Sequence, residues 1–161
     1  MKKEKFWVYL DLNVYSRPFD DQTQEKIYKE TEAIAVIWDH VKIGVIQLVS
    51  SDILIFEVNN ILSESKSSKV IAYIKLRSKH VEQSEQIKKM AEAIHDNCKI
   101  KPRDALHLGS AVESEVDYFL TCDTRVSKKS TNRCVKRIAK KFCKPYVSVM
   151  NPTQFVKKYF S

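Results

Sequence analysis

Polar and apolar positions alternate in blocks along this chain. Short apolar runs end in acids, and between them lie longer stretches with apolar residues every three or four positions. Phe6-Trp7-Val8-Tyr9-Leu10 is an unbroken run of strand length that stops at Asp11-Leu12-Asn13, as expected of a strand buried on both faces. Residues 21–41 carry Ile27, Ile34, Ile37, Trp38 and Val41 at helical spacing, which predicts an amphipathic helix. Gly44 is placed to end it, residues 45–49 predict a second strand, and Ser51 or Asp52 can cap a helix running to Leu62. Residues 63–68 are polar and serine-rich and read as a connection. Helices are predicted at 69–77 and 81–96, a brief strand at 98–100, and a helix from Pro102 to Ser114. Residues 117–122 form another apolar run, again ending in an aspartate, Asp123. A helix over 126–141, a strand over 146–150 and a closing helix opened by Asn151-Pro152-Thr153 complete the chain.

Strands alternating with helices imply an α/β fold with a mainly parallel central sheet flanked by helices. The length, 161 residues, suits one domain spanning 1–161. Only 2 glycines are present, which argues against a glycine-rich phosphate cradle. No stretch approaches the roughly 18 apolar residues of a membrane span. The N-terminus, Met1-Lys2-Lys3-Glu4-Lys5, runs into an apolar segment cut short by Asp11 and makes a poor signal peptide. A cytoplasmic location is the expectation. Cys98, Cys122, Cys134 and Cys143 form no C-x-x-C pair, so they read as unpaired thiols in a reducing compartment. His95-Asp96 lacks the companion histidines of a metal phosphohydrolase.

Charge changes the picture more by its placement than by its size. The net charge is +8, yet all 20 acidic residues lie at or before Asp123, while residues 124–161 contain 11 of the 28 Lys and Arg. The basic C-terminal part, 124–161, therefore suggests a surface that faces a polyanion, although a lysine-rich solvated face has the same composition.

Ligands of open α/β sheets bind beyond the carboxyl ends of the strands. Asp11 and Asp123 each follow an apolar strand directly, so both are expected at that edge. Either alone would serve equally as a turn or helix cap. Asp104 lies in the first turn of a helix, where a carboxylate gains about 0.3–1 kcal/mol from the dipole, and the same helix start faces the same edge. Glu57 sits in Ile53-Leu54-Ile55-Phe56-Glu57-Val58. There it is either a buried acid awaiting a cation or part of a solvated stripe with Asn60 and Glu64. Four crowded carboxylates repel unless hard divalent cations lie among them, and oxygen donors point to Mg²⁺ or Mn²⁺.

These motifs, in this order, resemble the PIN domain, the fold of VapC-type toxin nucleases and of several RNA-processing nucleases. Tyr9-Leu10-Asp11-Leu12-Asn13-Val14 is similar to that family's first motif, and residues 51–58 with Glu57 to its second. Pro102-Arg103-Asp104-Ala105-Leu106-His107-Leu108-Gly109-Ser110-Ala111 is the most specific match, and Phe119-Leu120-Thr121-Cys122-Asp123 resembles the strand that closes the site. The resemblance implies a metal-dependent ribonuclease that leaves a 5′-phosphate. Asp11, Glu57, Asp104 and Asp123 would hold Mg²⁺ or Mn²⁺, with Asn13 and Thr121 in support. It also implies an RNA substrate, an antitoxin protein as partner and a homodimer. Arg125, Lys128, Lys129 and Arg133 are the candidate RNA contacts, and His107 reads as a packing or supporting residue rather than a ligand. The segment between Glu57 and Asp104 and the basic run after Asp123 are long for the family, which bears on antitoxin pairing and substrate choice. Two alternatives compete. A PIN fold can bind RNA or a partner without cutting. A haloacid-dehalogenase-type phosphatase also has an aspartate after its first strand, but needs a second acid where this chain has Asn13.

Overall fold

The computed structural model describes residues 5–161, and the start of the N-terminal run, 1–4, lies outside the described residues. Five strands, β1 (Phe6–Leu10), β2 (Ile46–Ser51), β3 (Lys79–Val81), β4 (Tyr118–Leu120) and β5 (Ser148–Met150), form one sheet in the order β3-β2-β1-β4-β5. Every neighbouring pair is parallel, with Val8 between Leu48 and Tyr118, and Tyr9 between Val49 and Phe119. The chain builds outward from β1 to β3, then returns to the other side of β1 for β4 and β5. The direction of winding thus reverses between β1 and β4, where a crevice opens at the carboxyl ends of the strands.

Helices α1 (Leu12–Ser16) and α2 (Glu25–Lys42), with a 3-10 turn at Arg17–Phe19 between them, link β1 to β2. Gly44, at φ +79°, makes the turn after α2. Helices α3 (Asp52–Asn59) and α4 (Glu64–Ile74) precede β3; α5 (Glu85–Cys98) and α6 (Pro102–Glu113) precede β4. Helices α7 (Thr124–Ser127) and α8 (Lys129–Lys141) lead to β5, and α9 (Pro152–Tyr159) closes the chain.

Successive strand side chains point to opposite faces. Tyr9, Val49, Phe119 and Val149 pack against Ile94 of α5, Leu108 of α6 and Ile138 of α8. Val8, Leu48 and Leu120 pack against Ile34 of α2, Leu54 of α3, Ile74 of α4 and Phe155 of α9. Both faces are therefore buried, which accounts for the unbroken apolar runs; each fully buried large side chain contributes roughly 1.5–3 kcal/mol.

Helices α5 and α6 approach so closely that a Cβ on Gly109 would stand 3.1 Å from the Ile87 carbonyl oxygen and 3.3 Å from the Ala91 nitrogen. Gly109→Leu is expected to destabilise the fold by about 1–3 kcal/mol through overpacking. Urea denaturation measures this, and an unchanged midpoint would show that the helices separate freely.

The structure corrects several expectations. Residues 63–68 are not a connection: Ser63 caps α4 by accepting from the Lys66 nitrogen at 3.2 Å, and Ser67 Oγ donates to the Val58 carbonyl. Their serines serve as cap and contact. Residues 98–100 are not a strand, since Cys98 ends α5 and Lys99 turns the chain at φ +55°. Strand β3 escapes the hydrophobic pattern because it is a three-residue edge strand, pinned by Ser50 Oγ to His80 Nδ1 at 2.7 Å and His80 Nε2 to Asp52 at 2.7 Å. The helix expected over 126–141 is two, broken at Lys128, whose backbone is extended. Two of the cysteines are not free thiols. Packing of α5 on α8 brings the Cα atoms of Cys98 and Cys134 to 5.6 Å, and they form a disulfide. Cys122 and Cys143 are free.

Candidate active site

The crevice between β1 and β4 is built by side chains that stitch the two strand ends together. Asp11 caps α1, its Oδ1 accepting from the Leu12 nitrogen at 2.8 Å. Its Oδ2 accepts from Thr121 Oγ at 2.9 Å and from Asn13 Nδ2 at 3.3 Å. The Asn13 Oδ1 accepts from the Cys122 nitrogen at 2.9 Å, and Thr121 Oγ accepts from the Asp123 nitrogen at 3.1 Å. Asn13 and Thr121 thus fix both aspartates. Asp123 caps α7, and the Arg125 guanidinium grips it with two hydrogen bonds, of 3.1 and 3.0 Å.

Glu57 reaches the same edge from α3, whose start is capped by Ser51. It does not belong to a stripe with Asn60 and Glu64, because α3 ends at Asn59. Instead His107 Nε2 donates to its carboxylate, and Arg103 Nε stands 3.7 Å away. His107, fully buried on α6, shares its Nδ1 with the Tyr9 hydroxyl at 2.6 Å, and that hydroxyl meets Ser51 Oγ at 2.6 Å. A chain of hydrogen bonds therefore runs Ser51–Tyr9–His107–Glu57, joining β2, β1, α6 and α3. Asp104, in the first turn of α6, completes the group.

The acids share one field. Burial pushes the Asp11 carboxyl above its ordinary pKa; His107 and the Thr121 hydrogen bond pull it down, and Glu57 raises it again. Asp104, half-buried, is raised by desolvation and then by the charges of Asp11, Asp123 and Glu57. Asp123 is lowered, chiefly by its hydrogen bond from Arg125. Burial disfavours a charged His107, but its bond to Glu57 and the fields of Asp11, Glu57 and Asp104 outweigh burial and raise its pKa. One ligand atom each from Asp11, Glu57 and His107 lies within 4.8 Å of the others. Both ring nitrogens of His107 are already engaged, so the free oxygens belong to the carboxylates. Like charges held together and partly dried are relieved by a divalent cation, and this oxygen donor set fits Mg²⁺ or Mn²⁺.

The PIN domain family matches residues 8–131 of the chain. The protein belongs to the PIN-domain family. Strand β5 and helix α9 lie beyond the matched segment. Among solved structures, a chain in the crystal structure of VapBC2 from Rickettsia felis bound to a DNA fragment from their promoter is similar, with a TM-score of 0.49 and 14% identity. The likeness covers 90% of this chain and 98% of that one. No curated protein matches the chain in sequence.

In this PIN domain, Arg125, Lys128, Lys129 and Arg133 all stand exposed on the segment that leaves Asp123. Of these, Arg125 is occupied by its acid. Sequence reasoning did not find Tyr9 or Ser51 as parts of the site. The signal was a tyrosine inside a buried strand, since a buried phenol needs a hydrogen-bond partner. It also missed a buried ion pair beside the crevice: Arg17 Nε lies 3.2 Å from Glu30 Oε1, and Asn151 Nδ2 donates to Glu30 Oε2 at 2.5 Å. The free Cys122 thiol beside that pair is pushed up to about 12 by burial. His95 Nδ1 bonds the Ile100 carbonyl at 2.7 Å, tying α5 to the turn that follows it.

Proposed function

We propose that the protein is a ribonuclease that hydrolyses RNA phosphodiester bonds with the help of Mg²⁺ or Mn²⁺, at Asp11, Glu57, Asp104 and Asp123. The observation that carries this reading is the convergence of acids at one strand edge. Ligand atoms of Asp11 and Glu57 lie within 4.8 Å of one another. Asp11, Asp123 and Glu57, from three other segments, add to the burial that raises the Asp104 pKa. A divalent cation held by these four carboxylates would lower the pKa of a bound water and offset charge on the reacting phosphate. The chain's own residues set the geometry. Asn13 and Thr121 orient Asp11, Arg125 keeps Asp123 ionised, and His107 turns Glu57 toward the other acids.

Attack by water on the phosphorus, with the P–O3′ bond breaking and the 3′ oxygen leaving with a proton, yields a 5′-phosphate and a 3′-hydroxyl. Attack by the neighbouring 2′-hydroxyl would leave a 2′,3′-cyclic phosphate instead. End analysis of cleaved RNA therefore tests the reading: 5′-phosphate ends are expected, and cyclic ends would overturn it.

His107 makes a separate prediction. Groups that orient metal-binding residues are worth about 10–100-fold in metal affinity, so His107→Ala is expected to weaken Mn²⁺ binding by that factor. Calorimetric titration reads it, and unchanged affinity would show that Glu57 needs no such support.

On the family resemblance of its motifs, we further read the chain as a candidate toxin of a toxin–antitoxin pair, with an antitoxin protein as partner and a homodimer as its assembly. On that toxin reading it would act in the cytoplasm. Among the described residues no helix is long and apolar enough to cross a membrane. Growth arrest on expression, lost with Asp104→Asn, is the corresponding observation.

A further inference from the structure

Residues 124–161 carry no acid, and α8 turns Lys129, Arg133, Lys136, Arg137 and Lys140 toward solvent. Beside this ridge lies a groove of about 500 Å³ between α8, β5 and α9, lined among others by Lys129, Arg133, Tyr146, Gln154 and Lys158. One end adjoins the acids: Ser127, in its wall, bonds back to the Asp123 carbonyl, and Met150, also in its wall, accepts from the Thr121 nitrogen. The other end reaches Tyr146, ahead of the start of β5.

Two features of the groove restrict what it can hold. Strand β5 is at the edge of the sheet, where an incoming strand would ordinarily pair. Asn132 blocks that pairing, donating to the Val149 carbonyl at 2.6 Å and accepting from the Val149 nitrogen at 2.7 Å. Tyr146, meanwhile, is 46% exposed yet held in place. Its hydroxyl donates to Asn132 at 3.3 Å, and Lys136 Nζ sits 5.2 Å from its ring centroid. A fixed, half-exposed aromatic ring among cations, with no acid lining the groove, suits a flexible polyanion carrying flat bases.

We infer that this groove is a docking track for single-stranded RNA, in which the strand leaving the acid cluster runs along α8 and stacks a base on Tyr146. The inference rests on the nuclease reading for its substrate, but makes its own claim about affinity. Lys129, Arg133 and Lys158 hold phosphates, and Tyr146 holds a base. A duplex, whose bases are already stacked on one another, gains nothing from the ring.

The test measures binding of a fluorescein-labelled 12-nucleotide single-stranded RNA by anisotropy, with the Asp11→Asn protein to prevent cleavage. Added Tyr146→Ala is expected to weaken binding about 10-fold, as loss of one stacked base does, and Tyr146→Phe to keep it. Arg133→Gln with Lys158→Gln should weaken binding and flatten its salt dependence. Lys26→Gln with Lys42→Gln, the same charge change on α2, should have little effect. Affinity unmoved by Tyr146→Ala, equal losses from the α2 and groove pairs, or equal sensitivity of a duplex would each overturn the track. Groove-dependent binding by a wild type that cuts no RNA would remove the nuclease reading and leave the track standing.

Discussion

Asp11→Asn is expected to lower RNA cleavage by at least about 10²–10³-fold, the scale set by losing one preorganised charge from a reaction centre, while the protein stays folded. Two observations separate the effects. The Asn side chain keeps an oxygen where Asp11 Oδ1 accepts from the Leu12 nitrogen, so the cap of α1 survives. The amide nitrogen would take the place of Oδ2, losing the bond from Asn13 Nδ2 and facing Thr121 Oγ, which already accepts from the Asp123 nitrogen and Asn13 Nδ2. Burial works against the Asp11 charge, and that charge raises the pKa of Asp104, so its removal also eases a repulsion there. Loss of two hydrogen bonds, offset in part by the relieved repulsion, is therefore expected to lower stability by about 1–2 kcal/mol, which leaves the protein folded. Cleavage rates and thermal unfolding of the same preparation check both halves; full activity in a folded variant would remove Asp11 from the site.

Arg17→Met is the second large effect, and it concerns the scaffold beneath the site. Glu30 is buried and meets Arg17 Nε at 3.2 Å. Removing the cation leaves an acid in the interior, which costs about 3–5 kcal/mol. For a domain of this size, each kcal/mol moves the melting temperature by about 2–4 °C, so a drop on the order of 6–20 °C is expected. The double variant Arg17→Met with Glu30→Met removes both charges and should recover much of the loss, because the penalty is for the uncompensated partner rather than the missing bond. Thermal melts of the single and double variants decide it. A single variant as stable as the wild type would show that Asn151 and the surroundings of Glu30 compensate it without the cation.

The parts of this account that were legible in the sequence are those written locally. Apolar runs ending at Asp11 and Asp123 located two strand ends, and burial of both sheet faces explains why those runs showed so clearly. Pro102 marked the start of α6, and with it the placement of Asp104. Glu57 remained open between two readings, since its deciding partner, His107, is 50 residues away and touches it only through packing of α3 on α6. The Cys98–Cys134 bridge, separated by 36 residues, depends in the same way on which helices become neighbours. So does the meeting of Arg17, Glu30 and Asn151 from three parts of the chain. Strand β3 failed for a different reason: three half-polar residues at a sheet edge carry no periodicity to read.

If these four carboxylates cut RNA with a divalent cation, the reaction needs both the metal and each acid. The most direct measurement compares the wild type and Asp104→Asn on a mixture of single-stranded and structured RNAs, each with Mg²⁺, Mn²⁺ or EDTA. Cleavage is expected from the wild type with metal, none in EDTA, and none from the folded variant under any condition. Cleavage that persists in EDTA or in Asp104→Asn, or a well-folded wild type that binds RNA without cutting it, would contradict that mechanism.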